Sequence, residues 1–209
     1  MLNRTLNKIL NRFISLLLLM LLTACVSQTT PPVTVYTISP QWNNNQEPNQ
    51  QARSTNKAVL KISPIRSTET FTSRNIIYTD KQYSQNPYIY SRWSDAPVKM
   101  LQTMFQVQLE KKGPFKAVLA STSSARASLS LECTLYDFSH HLNPDNTSKG
   151  VIRVGCYLIN NKNRSVLAHQ ELVASIPSPT ENAQGAAMAL NKAANEVSVQ
   201  LLNWLASIN

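Results

Sequence analysis

Residues 128–176 hold three runs of strand character, 128–140, 151–160 and 165–176, separated only by the polar turns Asn143-Pro-Asp-Asn146 and Asn161-Lys-Asn163. Runs joined so closely have room to pair only with their neighbours, as an antiparallel meander. A meander with one apolar face needs a cover, and the sequence that follows supplies one. Ala183, Ala187, Leu190, Ala194, Val197, Leu201, Trp204 and Ile208 recur at steps of four and three, which is one stripe of a helix. Ser178-Pro-Thr-Glu181 reads as its capping box, with proline at the first helical position. The stripe suits a seam for a partner helix or burial on the chain's own sheet, and the uncovered meander favours the second.

Upstream the strands are shorter. Residues 33–38 alternate and end at Pro40, and residues 58–65 form a second strand that Pro64 confines to an edge or ends early. Residues 76–78 and 88–90 face each other across the turn-prone stretch 79–87 as a small hairpin. A helix then starts with Ser94 or Asp95 as its cap and Pro97 in its first turn. It carries Leu101, Met104, Phe105, Gln108 and Leu109 at helical spacing and stops at Gly113-Pro114. In the first long strand, Leu129, Leu131, Cys133, Leu135 and Asp137 fall on one face by alternation. The expected architecture is α+β: an antiparallel sheet of about five to seven strands packed with two helices, the second long and C-terminal.

The N-terminus has another logic. Residues 1–12 hold Arg4, Lys8 and Arg12 and no acid, and an apolar run of ten follows from Phe13 to Leu22. A permanent spanning helix needs roughly 20 such residues, so the run reads as a signal peptide. Leu22-Thr-Ala-Cys25 has the order of a bacterial lipobox. Residues 1–24 are then removed, and Cys25 carries diacylglycerol plus a further acyl chain such as palmitate, enough for stable anchoring where one chain is marginal. Val26 in place of Asp sorts the product to the inner leaflet of the outer membrane, facing the periplasm of a Gram-negative bacterium. Residues 25–33 form the lipidated tether, and residues 34–209 a single periplasmic domain with a mobile Asn/Gln-rich loop at 41–56. The net charge of +9 drops to +6 once the signal leaves. Export past the inner membrane argues against nucleic acid, and anionic lipid or an acidic partner fits the remaining charge better.

Catalytic patterns are missing. There is no G-x-S-x-G, Walker loop, H-E-x-x-H or C-x-x-C, and Gly occurs at only four positions, too few for phosphate-cradling loops. His140 and His141 are adjacent on a strand and point to opposite faces, so they do not converge on a metal. Asp137 has no second carboxylate near it in sequence for acid/base work. No enzyme activity, cofactor or metal is expected beyond the covalent lipid on Cys25. Cys133 and Cys156 are symmetric about Pro144-Asp145, so a hairpin turning there sets them opposite each other. They form either a disulfide in an oxidising periplasm or two buried thiols, and a one-residue bulge would separate them.

The segments Val59-Leu-Lys-Ile-Ser-Pro-Ile-Arg66, Ser73-Arg-Asn-Ile-Ile-Tyr78 and Tyr90-Ser-Arg-Trp-Ser-Asp-Ala-Pro97 with Met100-Leu101 resemble the ABC-type transport auxiliary lipoprotein family, that of the PqiC-like lipoproteins of paraquat-inducible operons. The closing Asn182-Ala-Gln-Gly-Ala186, Ala189-Leu190 and Trp204-Leu205 are similar to its last helix. The resemblance implies a non-enzymatic accessory of an MCE system that moves lipid between membranes. Its partners would be an MCE-domain protein, an ABC-type permease reached through it, and further copies in a homo-oligomeric ring. A different class of function is a structural lipoprotein supporting a secretin or a lipopolysaccharide translocon. Arg92 and Trp93 lie in the most specific segment of the resemblance, with Trp93 either a partner-interface anchor or a core residue at the helix entry.

Overall fold

The structure is a computed structural model that describes residues 4, 10–15, 31–40, 58–80 and 82–208. The chain divides into two units, Met1–Pro32 and Val33–Asn209. In the first, the described residues 10–15 are helical. The expected signal, the acylated Cys25 and the loop at 41–56 lie outside the described residues.

The second unit is α+β. Its strands are β1 (Thr34–Tyr36), β2 (Val59–Ile62), β3 (Arg66–Ser67), β4 (Asn75–Thr79), β5 (Gln85–Trp93), β6 (Ala117–Leu119), β7 (Leu129–Leu142), β8 (Ser148–Asn160) and β9 (Ser165–Pro177). Its helices are α1 (Pro97–Lys112) and α2 (Ala183–Ser207). The three long runs form the meander read from the sequence, β7 pairing β8 and β8 pairing β9, all antiparallel. The other edge of β7 differs from expectation. There β2, β3 and β4 line up one after another, each parallel to β7: Leu60 beside Leu129, Arg66 beside Thr134 and Ile77 beside Ser139. β6 continues parallel outside β2, β5 pairs antiparallel with β4, and β1 is parallel to β5. The sheet thus has nine strands among the described residues and is mixed, larger than the five to seven antiparallel strands expected. The reason is connectivity, since strands on either side of a crossover such as α1 can run parallel whereas hairpin neighbours cannot. Pro64 ends β2 at Ile62, but β2 lies between β7 and β6 and is not an edge.

One face of the sheet is covered by α1 and α2, which also touch each other. α1 buries Met100, Leu101, Met104, Phe105 and Leu109; α2 buries Ala186, Leu190, Ala193, Ala194, Val197 and Leu201 against Leu131, Leu135, Ile152, Val154 and Leu172. Each fully buried Leu, Ile or Phe contributes about 1.5–3 kcal/mol. The alanines let α2 come close. A Cβ built on Gly150 of β8 would lie 2.8–2.9 Å from atoms of Ala189 and Leu190, so only glycine fits beneath that turn. The stripe read from the sequence is therefore the helix face that meets its own sheet.

Both helix starts shift from their expected caps. The N-cap of α1 is Ala96, without a side-chain cap; Asp95 Oδ1 accepts instead from the Ala96 N–H at 2.7 Å, and Ser94 Oγ donates to Thr37 Oγ1. Pro97 at the first position removes one of the donors a cap would serve. For α2 the cap is Asn182, whose Oδ1 accepts from the Gly185 N–H at 3.0 Å. The Ser178 hydroxyl donates to the Thr180 carbonyl one turn earlier, so the expected capping box is a turn ahead of the helix.

Three side chains of α2 hold the backbone at two places outside it. Asn191 Oδ1 accepts from the Ser39 N–H at 2.8 Å and Asn195 Nδ2 donates to the Ser39 carbonyl at 3.0 Å, fastening the chain just after β1. Gln200 does the same at the free edge of β9, donating to the Val173 carbonyl at 2.9 Å and accepting from its N–H at 3.1 Å. At that one position the outward backbone groups of the edge strand are taken, which removes part of a template for another chain.

Candidate functional site

The β7–β8 hairpin decides where most of the candidate residues go. Near its turn the pairs are His141 with Lys149 and Leu142 with Ser148, which centres the turn on Asp145, half a residue later than the sequence symmetry suggests. A bulge between Leu135 and Asp137 takes up the difference, so that Cys133 meets Cys156 in register. Their Cα atoms are 4.2 Å apart and the sulfurs are joined in a disulfide. The cysteines are buried against the helices, so the bridge closes a long-range staple in the core.

The same bulge corrects the reading of Asp137. One extra residue reverses alternation, so Leu129, Leu131, Cys133 and Leu135 face the helices while Asp137 falls on the other side. There its carboxylate accepts from the Ser139 hydroxyl at 2.5 Å and lies 2.8 Å from His141 Nε2. Serine, carboxylate and imidazole are together, but in the wrong order for nucleophilic catalysis. The carboxylate stands between the other two, so the imidazole cannot take the serine proton, and Ser139 is wholly buried. His169, on β9, packs against Tyr157 with ring centroids 4.8 Å apart.

His140 points to the opposite face from His141, as adjacent strand residues must. It is fully buried. Its Nδ1 shares a hydrogen bond with the Tyr88 hydroxyl at 2.8 Å, and the Tyr88 ring stands 4.8 Å from that of Tyr78. Burial, then the neighbouring His141 charge, lowers the His140 pKa to about 4. Burial, then Tyr78 and Glu181, raises that of Tyr88 to about 12. Both groups are neutral near pH 7, and neither is tuned to exchange protons there. The cluster joins β4 and β5 to β7. His140 Nε2 and Ser148 Oγ are buried without a partner among the described residues.

Trp93, at the end of β5, is fully buried and meets Phe138 edge to face at 5.6 Å. An interface anchor has to be reachable, so Trp93 is corrected to a core residue. Arg92 beside it is exposed. The Arg74 Nε donates to the Trp93 carbonyl at 3.0 Å, and the Trp93 N–H donates to the Arg74 carbonyl at 2.7 Å.

Two concave features stand out among the described residues. A groove of about 170 Å³ runs between Ile38, Pro40 and the first turns of α1 at Lys99, Met100 and Thr103, below the roughly 300–1,000 Å³ of ordinary small-molecule sites. A depression of about 460 Å³ is lined by Glu69, Thr70, Ser73, Asn75, Ile77 and Gln85, with one carboxylate and no convergent base or nucleophile. Among the described residues no cluster of three metal-ligating side chains occurs, and no helix is long and apolar enough to cross a membrane.

Sequence reasoning missed the exposed apolar residues of the first and fifth strands. Ile89 is 80% exposed and Tyr90, Val33 and Val35 about half. The signal was present in Tyr88-Ile-Tyr90, three large residues in a row where a half-buried strand alternates.

The family model of the ABC-type transport auxiliary lipoprotein component matches residues 36–201. No curated protein matches the chain. Among solved structures the chain is similar to a Xanthomonas campestris protein of the DUF330 family, with a TM-score of 0.72 at 18% identity over 84% of this chain and 96% of that one. It is also similar to an uncharacterized protein, with a TM-score of 0.64 at 11% identity over 84% and 99%. At such identities the likeness is one of fold.

Proposed function

Because the chain belongs to the ABC-type transport auxiliary lipoprotein family, we propose that it is the outer-membrane-anchored, non-enzymatic accessory of an MCE-type lipid transport system. In this reading Cys25 carries the lipid and holds the protein on the inner leaflet of the outer membrane. The folded unit docks the far end of an MCE-domain assembly whose other end meets an ABC-type permease, with several copies forming a ring. The observation that carries the reading is the extent of the family match, from Tyr36 in β1 to Leu201 in α2. The auxiliary module and the folded unit nearly coincide.

Two measurements test it. Palmitate labelling of the full chain is expected in cells and is expected to vanish in Cys25→Ala; persistent labelling of that variant removes the anchor. Photocrosslinking from exposed positions of the full chain in its own cells is expected to capture an MCE-domain protein. Capture of an outer-membrane β-barrel in its place would transfer the protein to the assembly of a secretin or lipopolysaccharide translocon.

A further inference from the structure

The pairing of β4 with β5 is broken by a large bulge. Asn75 pairs with Arg92 and Ile77 with Pro87, so two steps along β4 are matched by five along β5. Within the bulge Tyr88 still reaches His140 and Ser91 still pairs with Thr34, while Ile89 and Tyr90 face outward one after the other, 80% and 49% exposed. β1 lies against the far end of this bulge, with Thr34 beside Ser91 and Val35 beside Arg92. The same parallel register sets Val33 next to Tyr90. Side chains level with each other on parallel neighbours share a face, so Val33, Val35, Tyr90 and Arg92 form one exposed strip with Ile89 at its border. Arg74, held by the Trp93 carbonyl, adds a second guanidinium. Neither β1 nor β5 contains an acidic residue.

Exposed branched apolar side chains, a tyrosine and arginines without acids are the composition of a surface that enters a lipid headgroup layer. The apolar groups leave water, the phenol stays at the boundary and the guanidiniums meet lipid phosphate. The position of the strip in the chain points to the same occupant. Val33 is both a member of the strip and the first residue of the folded unit, only eight residues after Cys25. Eight residues reach at most about 28 Å when fully extended, so the chain enters the unit at this strip within that reach of any lipid on Cys25. We propose that the β1–β5 strip is a lipid-contacting surface that seats the unit on the headgroup layer beside its own anchor. Since acylated Cys25 is part of the proposed function, the inference rests on that reading. It adds an orientation, with β1 and β5 toward the membrane and the β8–β9 turn away from it.

The test uses the full chain, purified from membranes and reconstituted into vesicles of phosphatidylethanolamine and phosphatidylglycerol. Ile89→Cys and, as control, Val166→Cys at the start of β9, which is 59% exposed, are labelled with an environment-sensitive fluorophore. Flotation with the vesicles reports anchoring; emission and its quenching by headgroup-labelled lipid report contact. The expected result is co-flotation of both proteins, with a severalfold rise in emission and strong quenching at position 89 only. The response at 89 is expected to weaken in Arg74→Ala/Arg92→Ala. Co-flotation without a response at 89 overturns the contact and leaves the anchor standing, whereas failure to float overturns both. A rise at 89 in detergent without lipid, growing with protein concentration, overturns the proposal in favour of a second copy of the chain as the occupant.

Discussion

The two halves of the folded unit are built on different plans. From Leu129 onward each strand pairs with the one just made, the turns are short, and α2 lies on the sheet its own hairpins have formed. From Thr34 to Leu119 nearly every strand is short, and most find their neighbours far along the chain: β2, β3 and β4 on β7, β2 also on β6, and β1 on β5. The C-terminal half is a self-made platform, and the N-terminal half is a set of pieces arranged along one edge of it. The largest irregularity falls on the same division: the wide bulge and the exposed Ile89 belong to the pieces. The platform's ladders shift by single residues, and its left-handed residues, Asn146 and Arg164, sit in its turns. A regular platform leaves little room for novelty, whereas edge pieces can be reshaped to make a contact surface.

The sharpest way to break this contrast is at Trp93, where the halves lock through Phe138. Trp93→Ala should cost about 3–5 kcal/mol. Hydrogen exchange should then find β1, β4 and β5 opened while β7 to β9 stay protected; equal loss in both halves would mean that they differ in pattern but not in stability. Next is the staple within the platform. Cys133→Ser with Cys156→Ser should lower stability by about 2–4 kcal/mol, read by urea unfolding. A mass for the native chain equal to that after reduction would deny the bridge.

The seam between the halves should respond to acid. His140 is neutral in the folded protein, with its pKa held down to about 4 against an ordinary value of 6.5. Its contribution is therefore complete above about pH 6.5 and is lost as the pH falls toward 4, because the unfolded chain takes up the proton first. Melting temperatures across that window should fall, and His140→Phe should flatten the slope; an unchanged slope would place the acid sensitivity elsewhere. The smallest expected effect is at the start of α2, where Asn182→Ala should cost about 1 kcal/mol and Ser178→Ala little, as thermal melts would register. A larger loss at Ser178 would restore the capping box.

What the sequence disclosed follows the same line. The meander, the cover helix and the α+β class were readable from period and turn chemistry, because each depends on residues a few positions apart. The parallel seating of β2, β3 and β4 was not, since alternation tells which face a residue takes and nothing about which strand lies beside it. The bulge at Tyr136 was invisible for a related reason: one inserted residue leaves composition untouched and turns Asp137 to the other side. Of the candidate residues, Cys133 and Cys156 could be placed by symmetry. Arg92 and Trp93 are adjacent in one segment, yet one is exposed and the other lies in the core.

The fastening of Ser39 by Asn191 and Asn195 bears on when this protein becomes a protein. A chain made from its N-terminus presents β1 first, but the groups that hold β1 and the residue beyond it lie at Ser91–Trp93 and on the last helix. Such distant contacts close late. The N-terminal edge of the unit is therefore fastened only when the last helix is in place. A chain cut short before Asn191 would lack the clamp on Ser39 and leave the end of β1 without it, whatever the β7–β9 platform has formed.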